Sequence, residues 1–172
     1  MKEISKADLV DGLFNAAIPC IEKFIEEHNN ETFFGFAIET LAEEGYFHLC
    51  ASSSESFQST VDEYLLSGET LEFIMGEDIK WNNQEWAYFD LNYNCNIWNK
   101  AWEPMLDIIN SHKNNISQLN NQESTRAQQK FSNLFKEAGE EVYMKIINSR
   151  ILDKMKQSSD FRSFFFEHHD AF

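Results

Sequence analysis

A chain of 172 residues, 42% hydrophobic and 15% aromatic, is long enough to bury one core and too apolar to be disordered. Its formal net charge of −15 repels nucleic acid and anionic lipid, so neither is expected as a partner. No run of about 18 apolar residues occurs, which excludes a membrane-spanning helix, and the charged opening MKEISKAD has no apolar signal-peptide core, so a cytoplasmic protein is expected.

The helical spacing of Leu9, Leu13, Ala17, Ile21, Phe24 and Ile25 behind a Ser5 cap predicts a first helix. It should be kinked or broken near Ala16 by Pro19 and end around His28. Aromatic and β-branched residues predict strands over 32–40 and 46–53, joined by a turn through Glu43, Glu44 and Gly45 as an antiparallel hairpin. Strict alternation puts Phe34, Phe36 and Ile38 on one face, and Phe33, Gly35, Ala37 and Glu39 on the other.

Ser54 opens a second helix with an apolar stripe of Phe57, Val61, Tyr64 and Leu65, closed by Gly68. Residues 69–79 fit a helix or a strand. Residues 80–90 read as a strand with Trp86, Tyr88 and Asp90 on one face. Helices are predicted over 96–115, with a kink at Pro104, and from Glu123 onward until Ser158-Ser159-Asp160 breaks the pattern; residues 161–169 read as a last strand. The elements add up to a single α+β domain over residues 1–172, a mainly antiparallel sheet with helices packed on it. Cys20, Cys50 and Cys95 have neither disulfide-framework nor metal-ligand spacing, and buried reduced thiols are expected.

Several residues invite a chemical reading. Trp81, Trp86 and Tyr88 suit a partner's anchor or a half-buried strand. His168 and His169 are adjacent, so a strand sends them to opposite faces and they form no metal site by themselves. Cys50 and His48 share a strand face inside an apolar run, where a thiol is inert. Glu39, Glu43 and Glu44 lack the alternating ligands of a calcium loop. No metal, cofactor or catalytic residue is therefore expected.

Charge gives the strongest directional signal. Residues 1–79 carry a net −14 and residues 80–172 only −1, and no lysine or arginine occurs between Lys23 and Lys80. Glu55, Asp62, Glu63, Glu69, Glu72, Glu77 and Asp78 follow one another with no base interspersed, as in a continuous negative face. Such a face would attract a basic protein and speed its encounter.

Residues 79–89 read IKWNNQEWAYF. The pattern resembles the signature of a bacterial family known as domain of unknown function 4303: a basic residue, Trp, four mostly polar residues, then Trp-Ala-Tyr. Lys80, Trp81, Trp86, Ala87 and Tyr88 match it in turn. The order of helices, aromatic hairpin and closing strand is also similar, so the resemblance covers most of the chain. It implies no reaction. It implies a context, since such small acidic proteins are similar in style to the immunity proteins that neutralise bacterial toxins.

The expected function is thus non-enzymatic binding of a basic protein, such as a toxin nuclease. The acidic series would steer the partner, and Trp81, Trp86 and Tyr88 would anchor it. Two rival expectations are an enzyme with a site assembled from Glu39, His48 and Tyr88, and a homo-oligomeric module using the phenylalanine-rich strands.

Overall fold

The computed structural model describes residues 4–168. Their order is α1 (Lys6–Glu27), β1 (Phe33–Leu41), β2 (Tyr46–Ser53), α2 (Ser54–Leu66), α3 (Leu71–Ile74), α4 (Asn96–Ser117), α5 (Asn121–Ser149) and β3 (Gln157–Glu167), with short 3-10 turns at Asn83–Glu85 and Ile151–Lys154. The protein is α+β. None of the described helices is long and apolar enough to cross a membrane.

β1 is the middle strand of a three-stranded sheet ordered β2-β1-β3. It pairs antiparallel with β2 and parallel with β3, so the sheet is mixed rather than mainly antiparallel. The hairpin turns where the pattern predicts: Glu44 and Gly45 N–H groups both donate to Leu41 O, and Gly45 adopts a φ of 73° that favours glycine.

One irregularity redistributes the aromatic residues. The ladders to both neighbours slip between Phe33 and Gly35. Simple alternation predicts Phe34 beside Phe36 and Ile38. The bulge instead puts Phe33 with them in the main core, and Phe34 in a second core with Ala37 and Cys50. The sheet therefore separates two apolar layers. Phe36, Ile38, Phe47, Leu49 and Ala51 face α1, α4 and α5 on one side; α2, α3 and the Trp81/Trp86 segment cover the other.

α1 runs through Pro19 without a break, forgoing only the bond that a residue-19 N–H would have donated. Its Ser5 Oγ accepts from Asp8 N at 3.1 Å, the predicted cap. α4 likewise continues through Pro104. α5 crosses the sheet at Gly139, where a Cβ would lie 2.6 Å from Phe165 Cε2 and 2.9 Å from Phe47 Cε1, so only glycine permits this approach.

The long helix ends at Arg150, which adopts the left-handed conformation with φ 60°, well before the serines at 158–159. Those serines and Asp160 belong to β3, which starts at Gln157. Their polarity argues against a strand, but pairing to β1 and the Lys80–Asp160 contact at 2.6 Å override it. His169, the end of the predicted strand, lies outside the described residues.

Residues 69–79 resolve as the single turn α3 followed by turns. The 80–90 segment is a run of turns with one isolated bridge, Tyr88 to Ala51, in place of the predicted strand. Trp86, Tyr88 and Asp90 consequently do not share a face. Trp86 enters the second core, Tyr88 packs against the main core, and Asp90, at φ 56°, meets His48.

Candidate partner-binding surface

α2 begins with a reciprocal cap: Ser53 Oγ accepts from Ser56 N at 2.9 Å, and Ser56 Oγ accepts from Ser53 N at 3.1 Å. Only Phe57 and Val61 are buried along it, so the opposite side of this helix is open to solvent. All seven acids of the series, Glu55, Asp62, Glu63, Glu69, Glu72, Glu77 and Asp78, are exposed.

Two of them have defined structural duties. Glu55 accepts the Thr32 N–H at 2.8 Å, and that backbone donor holds its carboxyl below the ordinary carboxylate range. Glu77 takes both its bonds from Arg162 Nη1, at 2.8 and 3.0 Å. Among the described residues, Glu55, Asp62, Glu63, Glu69, Glu72 and Asp78 form no ion pair. Three other bases of the second half pair elsewhere: Lys113 with Glu44, Lys145 with Asp11 and Lys154 with Glu22.

The basic residue of the Trp motif does not neutralise the series either. Lys80 is buried against the Phe34 and Trp81 rings and paired with Asp160, whose carboxyl this hydrogen bond holds low. Arg162 stacks on the same Trp81 ring at 4.1 Å. Trp81 and Trp86 are only 4% and 3% exposed. The structure thus spends both on the second core and leaves them almost no surface to offer a partner, unlike the anchoring role expected from their aromatic character.

Tyr88 sits in a third environment. Its hydroxyl donates to Glu31 Oε1 at 2.7 Å, and its ring packs on Phe24 and His28. Burial pushes the Tyr88 phenol up, and the Glu31 carboxylate pushes it further. Glu31 gathers donors from three parts of the chain: Tyr88, His28 Nδ1 at 2.8 Å and the Ser53 hydroxyl. Burial raises its carboxyl, but those three hydrogen bonds outweigh it and the net shift is downward from 4.5.

A folded value below the unfolded one stabilises the protein at pH values above about 4.5, and the contribution fades as pH falls through the folded value. Glu31→Gln is expected to lower stability by about 1–2 kcal/mol at neutral pH, since it removes the charge from three hydrogen bonds. The gap between wild type and variant should narrow in thermal melts taken from pH 7 down to pH 3. A gap that widens in acid would refute this role.

The three residues of the assembled-enzyme expectation do not converge. Glu39 is fully buried and accepts from Asn83 Nδ2 at 2.8 Å and from His168. His48 is the cross-strand partner of Glu39, but its Nδ1 lies 2.9 Å from Asp90 Oδ1 and its ring stacks on Phe89. Tyr88 belongs to Glu31. The clefts beside His48 and Tyr88 measure about 110 and 190 Å³, below the ~300–1,000 Å³ of sites that enclose a small molecule. Cys50, the thiol next to this network, is pushed up to about 12 by burial. All three cysteines are free and buried.

The fold and the acidic surface define a small α+β protein with a mixed sheet between two apolar layers. The model of a family described as domain of unknown function (DUF4303) matches residues 13–153, and the chain belongs to that family. No curated protein and no solved structure gave a match.

Proposed function

We propose that this protein is a non-enzymatic binding protein that captures a basic protein on the acidic surface formed by residues 55–78. More narrowly, we read it as an immunity protein acting in the bacterial cytoplasm, where it would cover the cationic active site of a toxin such as a nuclease. One observation carries the reading: six carboxylates of this stretch keep no ion pair among the described residues, while Lys80, Lys113, Lys145 and Lys154 pair with Asp160, Glu44, Asp11 and Glu22. A protein selected only for stability gains by interspersing bases among acids. A field left uncompensated raises the encounter rate with a cationic partner.

The test is affinity capture at low salt, identification of the captured protein, and titration of the purified pair by calorimetry. Between 50 and 300 mM NaCl the Kd is expected to rise at least tenfold, because exposed charges are screened over a Debye length of about 8 Å near physiological salt. A basic partner whose affinity stays flat with salt, or a tight partner that is itself acidic, would overturn the proposal.

A further inference from the structure

The acidic surface also carries apolar side chains that the fold does not use. Leu65, Leu66, Leu71, Phe73 and Met75 are 45, 88, 55, 41 and 43% exposed. The helical stripe of α2 predicts Leu65 as core, yet α2 buries only Phe57 and Val61. The five residues fall within eleven positions, across the end of α2, a turn at Gly68 and α3.

This span is a compact structure. Gly68 adopts a φ of 96°, Glu69 N donates to Tyr64 O at 3.0 Å, and Thr70 Oγ1 caps α3 by accepting from Phe73 N at 3.2 Å. Within α3 only Ile74 turns inward. α3 rests on α2, so the remaining apolar groups project from one corner of the molecule. Asp62, Glu63, Glu69, Glu72 and Asp78 interleave with and flank them.

Single exposed apolar residues are ordinary, but a contiguous group rimmed by charge marks an interaction surface. The rim selects the occupant. Five carboxylates repel an anionic membrane and nucleic acid, and a second copy of a chain with net charge −15 brings the same sign. We infer that the corner formed by residues 62–78 is the docking site, and that its occupant is a protein segment presenting apolar side chains flanked by lysine or arginine. The inference rests on the binding role proposed above and adds apolar anchors to it. The carboxylates set the approach and the five side chains hold the partner.

The experiment uses the whole protein and three probes: a 16-residue oligolysine, an 18-residue lysine/leucine peptide with leucines at helical spacing, and a scramble of the same composition. The patterned peptide is expected to bind at least tenfold more tightly than the scramble, with amide shift changes concentrated in residues 62–78. The double variant Leu66→Ser, Phe73→Ser should erase that preference and leave oligolysine binding unchanged. Both side chains are exposed, so an unaltered melting temperature should confirm that the variant folds. If oligolysine binds with strong salt dependence but pattern and double variant make no difference, the docking site is overturned and the charge-based role survives. Shift changes confined to another surface would overturn the docking site as well. If no probe binds at low salt, both fall.

Discussion

Replacing Trp86 by alanine is expected to cost about 3–5 kcal/mol, the usual price of removing a large aromatic ring from a core that collapses only in part. The indole is 3% exposed, its Nε1 donates to Lys80 O at 2.8 Å, and its ring meets Phe34 edge-on at 6.0 Å and Phe164 at 5.7 Å. It belongs to the smaller core, where it packs among Phe34, Phe57 and Trp81. For a domain with a net stability of about 5–15 kcal/mol, such a loss is severe. Urea unfolding followed by fluorescence would measure it. An unchanged midpoint would show that the ring is not a structural element.

Gly35 is the counterpart of this ring. A Cβ there would lie 2.5 Å from Trp86 Cη2 and 2.6 Å from Cζ2. Gly35→Ala alone should cost about 1–3 kcal/mol through overpacking. In the Trp86→Ala background the same change should cost much less, because the clashing atoms are gone. The double-mutant cycle isolates that coupling.

The second large effect is expected at Asn92. Its side chain is buried and stands in for a missing strand: Oδ1 accepts from Leu49 N at 2.6 Å, and Nδ2 donates to Phe47 O at 3.1 Å. Neighbouring backbone completes the cover over the outer edge of β2, with Leu91 N donating to Leu49 O and Ala51 N donating to Tyr88 O. Asn92→Ala leaves a buried donor and a buried acceptor unpaired, at a cost of about 3 kcal/mol. It should also speed hydrogen exchange at the Leu49 amide. Exchange as slow as in the wild type would show that another group closes this edge.

Local patterns reveal much of this fold. The Ser5 cap, the hairpin turn at Gly45, the Ser54 helix and the helix from Asn96 depend on neighbours within a few positions, so they can be read along the chain. What stays hidden depends on distant partners. The bulge that sends Phe34 to the second core follows from pairing with both β2 and β3. The entry of Trp86 into that core depends on Gly35, far away in sequence. The polar start of β3 is a strand only because β1 lies beside it.

The surface shows the same division. The acids of residues 55–78 are plain in the sequence, but which of them lack a base depends on where Lys80, Lys113, Lys154 and Arg162 fold. The spacing of His28 and Glu31 is compatible with a helix-end pair, yet Ser53 and Tyr88 join it only in three dimensions. The exposed Leu65 sits in phase with the buried stripe, and only the position of the helix end leaves it uncovered.

The parallel seating of β3 has a consequence for how the chain is made. Its first residue pairs with Phe33, which leaves the ribosome roughly 120 residues earlier. At about 5–20 residues per second, the hairpin waits some 6–24 s before its inner edge can be sealed. During that interval an aromatic strand presents unsatisfied backbone groups to solvent, so a nascent chain halted before residue 157 should be held by chaperones, and release should follow synthesis of the final strand.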